Sequence, residues 1–238
     1  MLRTIRLTAA IVCFTLVTLL FLDFTGTLHT WFGWLAKIQF LPAVLALNIG
    51  CLLYTSDAAD LFGRIYCSVI CPLGVFQDAI SWVSGKRKKN RFRYSPAMKW
   101  LRYGVLAVFI IAMIVGLNAL AILIAPYSAY GRMVSALFAP VWQWGNNLLA
   151  YFAERAGSYA FYEVDVWIKS FSTLVIAVVT LIVLIILAWR NGRTYCNTIC
   201  PVGTVLGFIS RYSIFKPVID TSKCNGCGLC ARNCKASC

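Results

Sequence analysis

The chain has 238 residues, of which 61% are hydrophobic and only 13% are charged, and its formal net charge is +14. These proportions lie outside the composition of ordinary soluble domains and exclude a purely soluble protein. We therefore predict an all-α membrane protein whose apolar helices cross a lipid bilayer.

Four apolar segments approach or reach the roughly 20 residues that cross a hydrocarbon core. In chain order they are residues 5–24, 34–54, 103–125 and 171–189. The first follows Arg3 and Arg6 and therefore also resembles a signal peptide, but no convincing small-residue cleavage site comes after it. We predict that it is retained as a helix. Residues 137–152, rich in aromatic side chains, are predicted to form a helix at the outer interface.

Lysine and arginine are distributed unevenly between the connecting segments. Nine of them lie after the second apolar segment: Arg64, Lys86, Arg87, Lys88, Lys89, Arg91, Arg93, Lys99 and Arg102. Such a basic side is typically cytoplasmic, and we predict a multi-pass protein of the cytoplasmic membrane with both termini inside the cell. A basic run beside a membrane helix mostly sets topology, so we predict no nucleic-acid partner.

A twelve-residue motif occurs twice, each time directly after an apolar segment. Gly-Arg-Ile-Tyr-Cys-Ser-Val-Ile-Cys-Pro-Leu-Gly at residues 63–74 returns as Gly-Arg-Thr-Tyr-Cys-Asn-Thr-Ile-Cys-Pro-Val-Gly at residues 192–203. Each copy carries a C-x3-C-P pair, Cys67 with Cys71 and Cys196 with Cys200. Residues four apart lie on one face of a helical turn, so each pair forms a corner of two thiolates.

Two such corners supply four ligands for one 4Fe-4S cluster, whose negative charge Arg64 and Arg193 can offset. Two other interpretations stay open. The motif can simply end a helix, or four cytosolic cysteines can form a closed zinc site.

A third cysteine motif stands near the end of the sequence. Cys224, Cys227, Cys230 and Cys234 follow the C-x2-C-x2-C-x3-C spacing of bacterial ferredoxins. Gly226 and Gly228 allow the tight loop that aims several thiolates at a cluster. Cys234 is the least secure ligand, because Lys235 follows it where proline is usual.

Two helices that end in G-R-x-Y-C-x3-C-P-x-G and precede a ferredoxin motif resemble the polyferredoxin-like 4Fe-4S membrane proteins related to NapH and NosR. The resemblance runs from about residue 40 to the end of the chain. It implies electron transfer between a quinone pool or a cytoplasmic donor and a redox partner protein, with all eight motif cysteines binding cofactor.

Besides Lys235 in place of proline after Cys234, the sequence departs from that family in two further places. No second ferredoxin motif follows the first, so we expect a C-terminal truncation. Residues 53–60 interrupt an apolar segment with two carboxylates and resemble translated sequencing adapter, and we assign them no function.

The sequence thus predicts a four-helix transmembrane domain (1–215) and a partial ferredoxin-type domain (216–238) that holds one or more 4Fe-4S clusters. We expect an electron-transfer subunit, with a partner protein and possible quinone contact, rather than a complete enzyme. The alternative is a zinc- or copper-binding assembly or regulatory membrane protein without directional electron transfer.

Overall fold

The computed structural model describes residues 2–23, 25–39, 66–87, 98–157, 161–166, 170–210, 220 and 222–228. Every regular element in these residues is helical, which confirms the all-α prediction for this part of the chain.

The helices are, in chain order, α1 (Leu2–Leu22), α2 (Thr27–Phe32), α3 (Trp34–Lys37), α4 (Tyr66–Val69), α5 (Pro72–Arg87), α6 (Lys99–Val115), α7 (Asn118–Ile124), α8 (Pro126–Met133), α9 (Ala139–Arg155), α10 (Phe171–Asn191), α11 (Thr194–Thr198) and α12 (Pro201–Ile209). A π-helical turn, Val134–Phe138, joins α8 to α9 and makes residues 126–155 one continuous helical rod.

Among the described residues, two helices are long and apolar enough to cross a membrane. They are Thr4–Leu22 within α1, with a hydropathy of 2.3, and Phe171–Arg190 within α10, with a hydropathy of 3.0. Only 17% of each stretch is buried, whereas the core helix of a soluble protein is mostly buried. The first and fourth predicted segments are therefore each a continuous apolar helix whose length and composition suit a membrane crossing.

The third predicted segment, residues 103–125, is not one continuous helix. Gly116 adopts a left-handed conformation with φ of 80° and ends α6. The Leu117 N–H donates to the Ala112 carbonyl at 2.8 Å, which satisfies the last turn in the manner of a glycine helix cap. α7 begins two residues after this glycine.

Both ends of this interrupted segment lie beside the second cysteine motif. At its start, Arg102 donates to the carbonyl oxygen of Thr204 at 3.2 Å. At its end, the carbonyl of Ile124 accepts from the Tyr195 hydroxyl at 3.1 Å. A single crossing would place these ends on opposite sides of a bilayer. Both ends instead lie beside the same motif, so a single crossing over residues 103–125 is not confirmed among the described residues.

The rod formed by residues 126–155 is about 45 Å long at 1.5 Å per residue, which is sufficient to span a bilayer. It starts beside the second motif, and the chain returns along α10 to the same motif. The helical conformation predicted for residues 137–152 is confirmed, and their place at the outer interface stays a prediction. Asn147 binds the backbone of Val164 through both amide atoms, at 2.7 and 2.9 Å, and so fixes the returning segment.

α1 runs antiparallel to this rod. Phe21, near its end, packs on Tyr127, and Phe14, two turns earlier, packs on Tyr130, while α1 also contacts residues 134–155. Its N-terminal end therefore points away from the cysteine motifs.

The second predicted segment, 34–54, begins with α3, and its residues 40–54 lie outside the described residues. Gln39, the last described residue here, is buried and accepts a hydrogen bond from the Tyr66 hydroxyl at 2.9 Å. The segment therefore starts beside the first cysteine motif.

We predict that Gly131→Ala loosens the contact between α1 and α8. A Cβ at this position would lie 2.6 Å from the Phe21 ring, so the free energy of unfolding should fall by about 1–3 kcal/mol, as for an overpacked core. Thermal unfolding in detergent measures this. Phe21→Leu in the same background should restore part of the loss. Gly104→Ala is the matched control, because nothing lies within 4 Å of its Cβ, and it should be neutral or stabilising.

Candidate iron-sulfur site

The two copies of the repeat fold in the same way. In each, a short helix carries the first cysteine, and the N–H groups of the last two residues before proline both donate to one tyrosine carbonyl. Ile70 and Cys71 donate to Tyr66 at 3.0 Å each, and Ile199 and Cys200 donate to Tyr195 at 3.0 Å each. Cys200 is extended, with φ of −68° and ψ of 118°, as expected for a residue that precedes proline.

A glycine in each copy lets the next helix lie against the first cysteine. A Cβ added at Gly74 would lie 2.1 Å from the carbonyl oxygen of Cys67, and one at Gly203 would lie 2.2 Å from that of Cys196. No side chain fits at these distances. The glycine of C-P-x-G thus fixes the position of the proline-initiated helices α5 and α12 relative to the thiols.

The structure brings the four cysteines of the two copies into one buried core. Cys67, Cys71, Cys196 and Cys200 are exposed by 6%, 4%, 6% and 3%. They share a single apolar cluster with the repeat tyrosines and with side chains of α1, α8 and α10. The two motifs therefore form one site between the membrane helices.

The ionisation of these thiols reports the same proximity. Burial raises the pKa of Cys71 to about 12, with a further contribution from the Cys67 thiolate. Burial also raises the pKa of Cys196, and the thiolates of Cys200, Cys67 and Cys71 raise it further. The thiols of each motif therefore lie within electrostatic reach of the thiols of the other.

The four thiols supply the number of ligands that a 4Fe-4S cluster takes, and a closed zinc site takes the same number. The two cofactors differ in geometry. Tetrahedral zinc needs its sulfurs about 2.3 Å from one point, whereas a 4Fe-4S cluster distributes four thiolates over four separate irons.

A cation lies next to the thiols. Arg193 pairs with Asp78, and its Nε donates to Oδ1 at 2.8 Å. Burial alone would lower the pKa of Arg193, but the hydrogen bond and charge of Asp78, followed by the thiolates of Cys196 and Cys67, raise it. The predicted charge-offsetting role of Arg193 is thus consistent with its place, while Arg64 lies outside the described residues.

Gln77 is a site residue that the sequence analysis did not identify. Its side chain is completely buried, and its Nε2 donates to the Sγ of Cys196 at 3.4 Å. It stands on α5, in the first copy, and reaches the second. A single glutamine has no spacing pattern, so no sequence signal singled it out.

The ferredoxin motif is described only at its start. Cys224 and Cys227 are exposed, and Gly226 and Gly228 have φ values of 66° and 67°, which confirms the left-handed turns expected of them. Cys230 and Cys234 lie outside the described residues.

A family model described as a 4Fe-4S binding domain matches residues 59–90 and 171–220. Each matched stretch contains one C-x3-C-P motif, and the match ends before Cys224. The matched domain therefore covers the paired motif and not the ferredoxin run.

Curated proteins match the chain over most of its length. The Ferredoxin-type protein NapH of Haemophilus influenzae is 27% identical over 82% of this chain and 55% of its own length. The corresponding NapH of Escherichia coli is 26% identical over the same shares. The Methylamine utilization ferredoxin-type protein MauN of Methylobacillus flagellatus is 24% identical over 72% of this chain and 48% of its own length.

The chain thus spans about half the length of the curated relatives it matches. No solved structure matches it. Together the comparisons show that the chain carries a 4Fe-4S binding domain, whose cofactor is a 4Fe-4S cluster, and that it is homologous over most of its length to the NapH and MauN ferredoxin-type proteins.

Proposed function

We propose that the chain is a membrane-bound electron-transfer protein in which Cys67, Cys71, Cys196 and Cys200 bind one 4Fe-4S cluster. The observation that carries this proposal is the burial of four thiols, two from each copy of one motif, in a single core. The 4Fe-4S binding domain matches both stretches of the chain that supply them. The names of relatives, ferredoxin-type and putative electron transport proteins, agree with this class of function.

The residues of the site each have a part in holding such a cofactor. A bound cluster supplies the capacity to accept and release an electron. The apolar core around the cysteines excludes water, and Arg193 adds positive charge beside the anionic thiolates. Iron binds cysteine as the thiolate, so formation of a cluster at these four cysteines would release their thiol protons.

Cys224, Cys227, Cys230 and Cys234 are proposed to bind a second cluster. Its first two thiols are solvent-exposed, in contrast with the buried paired motif. An exposed cluster is the one that an external redox partner protein can approach. We propose that electrons pass between this partner, the two clusters and a donor or acceptor that is either cytoplasmic or a membrane quinone.

We propose that the cysteine motifs lie near the cytoplasmic surface, because Arg102, at the end of the strongly basic segment, binds the carbonyl groups of the second motif. The rod over 126–155 then leads outwards and α10 returns. We propose further that the N-terminus lies on the outer side, because α1 runs away from the cysteine motifs.

The first prediction concerns the paired motif as one unit. Cys67→Ser and Cys196→Ser, made singly, should each remove the same low-temperature paramagnetic signal of the reduced protein, and the double variant should lose little more. Iron and acid-labile sulfide of anaerobically purified protein should fall together.

Cys13→Ser is the matched control, since Cys13 lies on α1 and is only partly buried, and it should retain the signal. Zinc without sulfide in the parent protein would support the alternative of a zinc-binding assembly or regulatory protein. Separate and additive losses in the two single variants would mean two independent sites.

The second prediction tests the glycine contacts. Gly74→Ala and Gly203→Ala should each lower the cluster content severalfold, because the added methyl group displaces α5 or α12 from the cysteine carbonyl. Iron, sulfide and the optical spectrum measure this. Gly145→Ala should have no such effect, since nothing lies within 4 Å of its Cβ. Normal cluster content in both repeat variants would contradict the proposed packing.

The third prediction concerns topology. In intact cells, a membrane-impermeant thiol reagent should label Ser158→Cys and Thr4→Cys but leave Lys88→Cys and Leu123→Cys unlabelled. Leu123 is the decisive position, because a single crossing over residues 103–125 would bring it to the outer surface. Labelling of Leu123→Cys would support a crossing over residues 103–125. Protection of Thr4→Cys would support a cytoplasmic N-terminus.

A further inference from the structure

The two copies of the motif are followed by different residues at one equivalent position. Gln77 and Leu206 both stand six residues after the second cysteine of their copy. Both side chains are completely buried, with 0% exposure. The backbone around them repeats closely, so this position accepts an apolar side chain as readily as a polar one.

The amide of Gln77 is directed at one cysteine. Its Nε2 lies 3.4 Å from the Sγ of Cys196, in the opposite copy of the motif. Its Oε1 is buried and has no hydrogen-bond partner among the described residues. Burying an unpaired carbonyl is unfavourable for folding, and a leucine at the same place in the other copy avoids that cost. Packing alone therefore does not account for the glutamine.

The neighbouring residue strengthens the asymmetry. Asp78, next to Gln77 on α5, binds Arg193 beside Cys196, whereas the equivalent position in the second copy is Gly207. The second copy has no polar side chain at either equivalent position. The two contacts at Cys196 differ in kind: Arg193 is held in an ion pair, and the Gln77 amide is a neutral dipole that donates to the sulfur.

A thiolate bound to iron has no proton to donate, so it can only accept the amide N–H. Such a hydrogen bond is stronger when the sulfur carries more negative charge, as it does after the cluster gains an electron. Hydrogen bonds to sulfur are one of the means by which proteins set the potential of iron-sulfur clusters.

We propose that Gln77 is a positioning residue that raises the reduction potential of the paired-motif cluster through its hydrogen bond to Cys196, and so sets which donors can reduce it. This inference rests on the proposed binding of a 4Fe-4S cluster by the four repeat cysteines. It concerns one polar contact that the duplicated motif does not share.

The test is a redox titration of the full chain, followed by the paramagnetic signal that Cys196→Ser removes. Gln77→Leu, which copies the residue of the second motif, should shift the midpoint to lower potential. At a fixed potential, we expect the ratio of reduced to oxidised cluster to fall threefold to tenfold. A tenfold fall corresponds to a shift of about 59 mV for a one-electron transfer. Gln77→Met, similar in size but without an N–H, should give the same shift.

Leu206→Met is the matched control and should leave the potential unchanged, because it replaces one apolar side chain by another at the equivalent position. If Gln77→Leu binds too little iron to titrate, Gln77→Met decides. An unchanged midpoint in Gln77→Met, with full iron and sulfide content, would overturn the inference while leaving the proposed function intact. Absence of any iron-sulfur signal in the parent protein would instead refute the proposed function.

Discussion

The contact between a cysteine carbonyl and a glycine, made once in each copy of the repeat, determines the geometry on which the remaining site depends. Gly74 and Gly203 let α5 and α12 approach the carbonyl oxygens of Cys67 and Cys196 more closely than any side chain permits. Proline begins each of these helices, and the cysteine before it is held outside the helix. The direction of both thiols in a copy therefore follows from backbone packing, before any cofactor is bound.

Burial of the four thiols makes their ionisation unfavourable. Four thiols in an apolar core are stable when neutral, and their conversion to thiolates requires compensating positive charge. The irons of a cluster supply most of that charge, and the Arg193 guanidinium lies close enough to Cys196 and Cys67 to contribute. Asp78 holds this arginine in place, so the charge beside the cluster is fixed rather than borne by a mobile side chain.

Local sequence predicted the features that local geometry decides. The cysteine spacing, the proline and the glycine of each motif predicted two equivalent corners, and continuous apolar runs predicted α1 and α10. The turn at Gly116 was missed, because a long apolar segment has the same composition whether it crosses a bilayer or folds back. The direction of α1 depends on Phe14 and Phe21 meeting Tyr130 and Tyr127, contacts between residues far apart in the chain. Gln77 was missed because its role depends on a cysteine in the other copy.

The equal contribution of two motif copies to one core has a consequence for how such a site can arise. A cofactor held by two identical corners is the arrangement of a twofold-symmetric dimer, in which any change on one side is repeated on the other. Joining both corners in a single chain removes that restriction. Each half of the chain can then change independently. Glutamine at position 77 and leucine at the equivalent position 206 are such a difference, and two identical subunits could not carry it.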